Sequence, residues 1–210
     1  MTLESLLASG SPPIVAILRG VRPDEAVAIG RAIVEAGICV IEVPFNSPEP
    51  ARSIAALVDA FGEDALIGGG TVIEPAMVDT LARAGGRFMV APNSDRAVIA
   101  ACIAAGIEAM PGFVTPSEAF AALAAGAAHL KLFPATGYGP SYLRALAEAL
   151  PAETPLWAVG GTGAHNLGEW IAAGARGIGV GSALYRAGDA PATVSARATA
   201  LVAAWRGGGT

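Results

Sequence analysis

Cysteine, histidine and lysine are all scarce in this sequence of 210 residues, which has two cysteines, two histidines and a single lysine. Cys39 and Cys102 lie far apart inside apolar segments, so we expect reduced core thiols and no disulfide framework. His129 and His165 are the only imidazoles in the sequence, whereas catalytic metal sites typically need clustered His, Asp or Glu. We therefore expect no bound metal.

Long apolar runs and blocks of positive charge are also missing. Hydrophobic residues make up 53% of the chain, yet Gly, Pro or a charge interrupts each apolar stretch before about 18 residues. Residues 1–10 contain Glu4 and no Lys or Arg, unlike a secretory signal. The net charge is −5 and the arginines are scattered singly, so no stripe could neutralise a row of phosphates. We expect a cytoplasmic protein that binds neither membranes nor nucleic acid.

Short runs rich in Val, Ile and Leu recur along the chain and predict eight β-strands. They cover residues 14–18, 40–45, 66–69, 88–91, 108–111, 129–133, 156–159 and 178–181. Between them lie segments patterned as amphipathic or buried helices. These cover residues 24–36, 50–61, 76–84, 95–105, 117–125, 142–150 and 166–173.

This alternation predicts a closed (β/α)₈ TIM barrel, formed by a single domain over residues 1–210. A doubly wound open sheet is the alternative. It would need a nucleotide-binding glycine loop after the first strand, but Leu18-Arg19-Gly20-Val21 lacks the G-x-G-x-x-G pattern.

Polar residues and glycine turns follow the predicted strands. In a parallel barrel, the carboxyl ends of all eight strands surround one mouth, where the chemistry takes place. In chain order the residues are Arg19, Glu42 with Asn46 and Ser47, Thr71, Pro92-Asn93, Pro111-Gly112, Lys131, Gly160-Gly161 and Gly181-Ser182.

Lys131 lies inside an apolar strand, although the other twelve basic residues are arginines. Strand alternation places it on the face opposite Leu130 and Leu132. A desolvated lysine can lose its proton and form a Schiff base, which arginine cannot, if its pKa falls from about 10.4 toward 7. Glu42 is a carboxylate within another apolar strand and could shuttle protons. The alternative interpretations are a snorkelling or salt-bridged lysine, and a structural ion pair between Glu42 and either Lys131 or Arg19.

Two further features predict binding of anions. Arg19 could hold a carboxylate with help from the Thr71 hydroxyl, or it could only cap the barrel rim. The turns at 160–162 and 179–182 follow the seventh and eighth strands and expose backbone amides that can cradle a phosphate, at the position where this fold often binds one.

Several segments together resemble the 2-keto-3-deoxy-6-phosphogluconate and 6-phosphogalactonate aldolases over nearly the whole chain. They are AILRG at 16–20, IEVP at 41–44, GGTV at 69–72, KLFP at 131–134 and GG at 160–161. The resemblance implies a (β/α)₈ barrel, usually trimeric, that uses neither a metal nor a cofactor.

The same resemblance implies roles for individual residues. Lys131 matches the Schiff-base lysine and Glu42 the general acid/base. The other matching positions bind substrate: Arg19 and Thr71 at the pyruvate carboxylate, Phe133 and Pro92 around the pyruvyl group, and Gly161 and Ser182, next to Gly160 and Gly181, at the phosphate.

Two local features resemble the phosphogalactonate branch, namely Phe45-Asn46-Ser47-Pro48 after strand two and Val159 before the glycine pair. The phosphogluconate branch tends to have Arg-Thr and Thr at these places. The resemblance therefore implies cleavage of 2-dehydro-3-deoxy-6-phosphogalactonate to pyruvate and D-glyceraldehyde 3-phosphate.

The sequence is also compatible with other functions. The same family includes aldolases for 2-dehydro-3-deoxy-6-phosphogluconate and 4-hydroxy-2-oxoglutarate. A metal-dependent pyruvate aldolase or a phosphate-sugar isomerase could use the same barrel. A barrel without activity could bind a phosphorylated sugar acid as a sensor, although the presence of both Lys131 and Glu42 argues against it.

Overall fold

Strands and helices alternate along residues 1–207, the part of the chain that the computed structural model describes. The strands are β1 (Ile14–Ile17), β2 (Val40–Pro44), β3 (Leu66–Gly70), β4 (Phe88–Val90), β5 (Glu108–Met110), β6 (Gly112–Phe113), β7 (Leu130–Leu132), β8 (Leu156–Val159) and β9 (Gly177–Val180). The helices are α1 (Leu3–Ala8), α2 (Pro23–Glu35), α3 (Pro50–Phe61), α4 (Pro75–Arg83), α5 (Arg96–Ala104), α6 (Pro116–Ala124), α7 (Gly139–Ala149), α8 (Leu167–Ala172) and α9 (Pro191–Gly207). A short 3₁₀ helix, Ala135–Gly137, follows β7.

The sheet is parallel and closes on itself through β5 and β6. Its strand order is β5-β4-β3-β2-β1-β9-β8-β7-β6, and only Pro111 separates the two terminal strands. The Met110 carbonyl accepts a hydrogen bond from Ala91 beside β4, whereas the Pro111 carbonyl accepts one from Lys131 in β7. Thus β5 and β6 form one fifth strand with neighbours on both sides. The predicted (β/α)₈ barrel is confirmed, and the open-sheet alternative is wrong.

Local sequence signals account for the ends of the helices between strands. Before α6, Thr115 and Glu118 form a reciprocal capping box, and Pro116 occupies the first turn, where a missing N–H costs nothing. After this helix comes Gly126, whose φ of +100° is in the left-handed region that glycine adopts readily. These signals explain why the predicted and observed bounds of this helix agree within one residue.

The first and last helices were missing from the sequence-based prediction. In α9 the buried residues Val194, Ala198, Leu201 and Val202 follow helical spacing within an Ala-rich segment. The three glycines near the end of the sequence predict a frayed tail over residues 206–210, but residues 206 and 207 belong to α9, and residues 208–210 lie outside the described part of the chain. Within residues 1–207, no helix is both long and apolar enough to cross a bilayer.

Two apolar clusters form the core, one on each side of the barrel wall. The larger lies between the strands and the surrounding helices and includes Leu130 and Leu132. The smaller fills the barrel interior, where Phe88, Met110 and Trp157 pack with Leu3 of α1. Because α1 closes the amino-terminal end of the barrel, the interior is accessible from the carboxyl ends of the strands.

Candidate active site

A cavity of about 590 Å³ opens at the carboxyl ends of the strands. Most of the residues that the sequence nominated meet here, which confirms that barrel closure brings distant segments together. The lining residues are Ile17, Arg19, Thr71, Pro92, Lys131, Phe133, Val159, Gly161, Thr162, His165, Gly181, Ser182, Ala183 and Arg186.

The floor of the cavity carries the amine of Lys131. This residue is only 6% exposed, and its Nζ lies 4.4 Å from the centroid of the Phe133 ring. Its neighbours Leu130 and Leu132 pack outside the barrel wall, so the alternation read from the sequence is confirmed. A lysine with so little access to water is held where a small substrate could reach its nitrogen.

Glu42 lies inside the barrel wall near this amine and is 2% exposed. Its Oε2 is buried and has no hydrogen-bond partner within residues 1–207. Gly70 leaves the space for this carboxylate, because a Cβ built at position 70 would lie 1.5 Å from Oε2. A buried carboxylate oxygen without a partner within the protein is costly, and this oxygen remains available to accept a hydrogen bond from a bound molecule.

Burial shifts the pKa of both groups toward neutrality. Desolvation lowers the pKa of Lys131 to about 8; the negative charge of Glu42 opposes that shift, and Arg19 assists it. Desolvation raises the pKa of Glu42 to about 7, against the attraction of Lys131 and Arg19. Near neutral pH the site can therefore hold a neutral amine and can move a proton on or off the carboxylate.

Arg19 lies at the rim of the cavity, and a neighbouring loop orients its side chain. Its Nη1 donates a 2.7 Å hydrogen bond to Oδ1 of Asn46, and the buried Ser47 hydroxyl accepts a 2.9 Å bond from the Gly20 amide. Asn46 and Ser47 do not line the cavity themselves. Both side chains contact the segment that carries Arg19.

Thr71 lies directly after β3 in a strained backbone conformation. Its φ is +55°, which is rare for a β-branched residue because Cβ crowds the backbone. The neighbouring segments hold this residue at the cavity wall. Such strain is found most often at functional sites.

Glycine is required at the turn after β8. Gly160 and Gly161 have φ values of +105° and +69°, and a Cβ at position 161 would lie 2.0 Å from Cγ2 of Thr136. Gly161 lines the cavity, whereas Gly160 is not one of the lining residues. Below the turn, the Thr162 hydroxyl donates a 2.6 Å hydrogen bond to the Gly179 carbonyl and ties the two glycine-rich turns together.

Sequence reasoning missed four lining residues: Ile17, His165, Ala183 and Arg186. Ile17 and Ala183 lie close in sequence to nominated positions, so the strand-end pattern could have found them. His165 directly precedes the predicted helix at 166–173, and in the structure it lies two residues before α8. Arg186 lies four residues beyond Ser182, too far from the strand for a rule based on strand ends.

The second histidine lies at the opposite end of the barrel. His129 is buried, its Nε2 is 3.5 Å from Oε2 of Glu108, and its Nδ1 accepts a 3.4 Å hydrogen bond from Trp157. It therefore packs in the barrel interior, far from the mouth. Among residues 1–207, no three side chains of His, Cys, Asp or Glu form a group suited to a metal ion.

The comparisons with known proteins agree with this geometry. A family model described as KDPG and KHG aldolase matches residues 7–197. The chain belongs to this aldolase family. Like its relatives, this aldolase is an aldehyde-lyase.

Two curated relatives carry the same substrate in their names. The 2-dehydro-3-deoxy-6-phosphogalactonate aldolase of Escherichia coli K12 is 47% identical over 194 residues, covering 92% of this chain and 95% of the relative. A probable aldolase of the same name from Rhizobium meliloti is 46% identical over 193 residues, covering 92% and 91%. A solved structure titled native KDPGal superimposes with a TM-score of 0.92 at 47% identity, covering 93% of this chain and 95% of that one.

Removing both buried charges is expected to stabilise this aldolase. The contribution of Glu42 to stability is present below its ordinary pKa of 4.5 and is lost as pH rises through about 7. The contribution of Lys131 is present above 10.5 and is lost as pH falls through about 8. At pH 7.5 both have largely been lost, so the double variant Lys131→Met/Glu42→Gln should gain about 1–4 kcal/mol in free energy of unfolding.

Urea denaturation of the wild type and the double variant at pH 7.5 measures this gain. The single variant Lys131→Met is the control, because it leaves Glu42 buried without its attractive partner and should gain less. A double variant less stable than wild type would show that the buried pair stabilises the fold.

Proposed function

We propose that this protein is a class I aldolase that cleaves 2-dehydro-3-deoxy-6-phosphogalactonate to pyruvate and D-glyceraldehyde 3-phosphate through a Schiff base on Lys131. The observation that carries the proposal is the nearly buried Lys131 amine, with its pKa lowered by desolvation, at the floor of the cavity. Trapping of pyruvate on Lys131 with borohydride tests it, as set out in the Discussion.

The proposed reaction begins when the neutral Nζ of Lys131 attacks the C2 ketone and forms a carbinolamine. Loss of water gives a protonated imine, which accepts the electron pair of the C3–C4 bond as that bond breaks. The proton of the C4 hydroxyl leaves at the same time, so C4 becomes the aldehyde of D-glyceraldehyde 3-phosphate. Protonation of the remaining enamine at C3 and hydrolysis of the imine then release pyruvate and regenerate the amine.

Glu42 is proposed as the group that moves these protons. Its pKa is raised by burial to about 7, close to the value at which a carboxyl group can both accept and donate at neutral pH. The unpartnered Oε2 is free to bond to the carbinolamine hydroxyl or, through a water molecule, to the C4 hydroxyl. One carboxyl group can serve the successive steps because each proton transfer leaves it in the protonation state that the next step needs.

The two ends of the cavity suit the two anionic ends of this substrate. Arg19 and Thr71 are proposed to bind the carboxylate, because a guanidinium beside a hydroxyl can form charge-assisted hydrogen bonds to both oxygens. Gly161 and Ser182 are proposed to bind the phosphate through the turns that follow β8 and β9. Phe133 and Pro92 line the wall between these ends and would pack on the pyruvyl group.

The preference for the galactonate epimer rests on two supports. Both curated relatives described above are named for this substrate, and Val159 lines the cavity as a nearly buried apolar side chain, 5% exposed. A wall without a hydroxyl offers no hydrogen bond to a substrate hydroxyl on that side. Asn46 and Ser47 are proposed to contribute indirectly, through the Arg19 segment that they contact.

Replacing Val159 with Thr is expected to shift the preference toward the C4 epimer, 2-dehydro-3-deoxy-6-phosphogluconate. The added hydroxyl could hydrogen-bond the epimeric C4 hydroxyl, so the ratio of kcat/KM values should move by about 10-fold, within the range for one pocket contact. Measuring kcat/KM for both epimers gives this ratio. Val159→Ala is the control for altered volume, and an equal shift in both variants would remove the hydroxyl from the explanation.

A homotrimer, implied by the family resemblance, remains a prediction. Ile103 in α5 and Phe120 in α6 are 49% and 48% exposed, the largest values among the exposed large apolar side chains of residues 1–207. These two helices contact each other along the barrel surface. Their exposed apolar side chains would be covered if this face met another copy of the chain.

A further inference from the structure

The charged side chains that line the cavity have one sign. Arg19, Lys131 and Arg186 line it, and within residues 1–207 none of the lining residues is Asp or Glu. If the substrate is the phosphorylated keto acid of the proposed function, Arg19 accounts for the carboxylate and Lys131 for the ketone. The third cation, Arg186, then has no assigned role, although the remaining anionic group of that substrate carries the larger charge.

Arg186 lies beside the glycine turn that follows β9. Its Nε donates a 3.2 Å hydrogen bond to the Ser182 carbonyl, which directs the rest of the guanidinium along the cavity rim. Because a guanidinium presents five N–H donors in a plane, the two terminal nitrogens remain available for a further acceptor. Leu184 and Tyr185 both donate backbone hydrogen bonds to Gly181, so residues 181–185 form one compact turn beneath this side chain.

A partly exposed ion pair between Asp189 and Arg197 holds the backbone of Arg186 in place. The Asp189 carboxylate accepts a 2.9 Å hydrogen bond from the Arg186 amide and another from Nη1 of Arg197 in α9. Arg197 also donates to the Leu184 carbonyl at 3.3 Å. These hydrogen bonds hold the loop between β9 and α9 at residues 184, 186 and 189. They therefore limit the positions that the Arg186 backbone can take.

We propose that the Arg186 guanidinium binds the terminal phosphate ester of the substrate, and that Asp189 and Arg197 position it. A dianionic phosphate next to the Gly161 and Ser182 turns lies within reach of this cation, and bidentate contacts from arginine suit its oxygens. Arg186 would thus distinguish phosphorylated from unphosphorylated aldehydes. This inference rests on the proposed function, since it assigns the phosphate end of the same substrate.

The test compares two aldehydes in the condensation direction, with pyruvate as the common partner. D-Glyceraldehyde 3-phosphate and D-glyceraldehyde differ only in the phosphate, so the ratio of their kcat/KM values isolates its recognition. Arg186→Met should lower this ratio about 10- to 100-fold, the effect of losing one charge-assisted hydrogen-bonded contact. Arg144→Met, which removes an exposed arginine outside the cavity, is the matched control and should leave the ratio unchanged.

The positioning role has a separate readout. Arg197→Met should lower the ratio about 3- to 10-fold in the wild-type background, and it should have no further effect once Arg186 is Met, because contacts acting through one group are not additive. Arg197→Lys, which restores the positive charge beside Asp189, should recover part of the ratio. Equal losses for both aldehydes in Arg197→Met would instead indicate a general structural effect and would overturn this role.

The outcomes separate this inference from the proposed function. If borohydride traps pyruvate on the wild type and on Arg186→Met but the aldehyde ratio is unchanged, the phosphate role is overturned while the Schiff base stands. If the ratio falls as expected but neither the wild type nor Arg186→Met traps pyruvate, Arg186 binds the phosphate and the Schiff-base mechanism fails. Equal losses for the two aldehydes in Arg186→Met would also overturn the phosphate role.

Discussion

Replacing Lys131 with Met is expected to abolish aldol cleavage, with kcat reduced at least about 10⁴-fold, the scale on which loss of a covalent nucleophile lowers turnover. The thioether has no amine and cannot form an imine, while it fills a similar volume in the barrel interior. Because Lys131 is the only lysine in the sequence, no other side-chain ε-amine can replace it. Cleavage assays coupled to detection of pyruvate measure the loss.

Reduction with borohydride tests directly whether pyruvate forms a Schiff base with the protein. Incubation with pyruvate and borohydride should add one reduced pyruvyl group to the wild type, and mass spectrometry of the digested protein should place it on Lys131. The variant Lys131→Arg is the matched control, since arginine keeps a cation at this position and cannot form a Schiff base. Cleavage at wild-type rate by either variant would sink the Schiff-base mechanism, as would an adduct on the α-amine alone.

Replacing Glu42 with Gln is expected to lower kcat about 10²- to 10⁴-fold, the usual contribution of a general acid/base. Glutamine keeps the shape that Gly70 accommodates but cannot exchange protons. Pyruvate should still bind, because Arg19, Thr71 and Lys131 are all retained. The loss should therefore appear mainly in kcat, which steady-state assays of cleavage resolve from KM.

The same variant should change the pH dependence of trapping in a defined direction. In the wild type, the rate should rise with pH through the Lys131 pKa of about 8, because only the neutral amine attacks. The negative charge of Glu42 raises that pKa, whereas desolvation and Arg19 lower it. Without Glu42 only the lowering influences remain, so the midpoint of the pH profile should move to lower pH.

A second carboxylate in the same barrel provides the control. Glu108 begins β5 at the opposite end of the barrel, where it accepts hydrogen bonds from the Leu3 amide. Glu108→Gln can keep an acceptor for that amide and should leave both kcat and the midpoint near wild type. An unchanged or higher midpoint in Glu42→Gln, or a kcat within about 3-fold of wild type, would contradict the role proposed for Glu42.

Much of the fold was predictable because its signals are local. Short runs rich in Val, Ile and Leu located eight strands, and the cap at Thr115 with the glycine at 126 bounded a helix. The final helix escaped prediction because its Ala-rich sequence presents little contrast between faces, and its four buried residues are defined only by the neighbours that cover them. Tertiary packing, more than propensity, stabilises such a helix.

The sequence could predict the site residues that adjoin strands, but it could not predict those that lie in loops. Lys131, Arg19 and Thr71 end up in one cavity because closure of a parallel barrel brings the carboxyl ends of its strands together. Asn46, nominated at the end of β2, does not line the cavity and contacts Arg19. Arg186 could not be found from spacing, since a loop fold and the Asp189 contacts decide where its side chain lies.

By itself the sequence determined which groups are available: one lysine among twelve arginines, a carboxylate within an apolar strand, and glycines at two turns. These are matters of composition and of periodicity along the backbone. Only the tertiary structure decided that the Lys131 amine and the Glu42 carboxylate lose their water together and shift each other's pKa. Desolvation and Coulomb interaction depend on distance through space, which barrel closure sets and the spacing of residues along the chain does not.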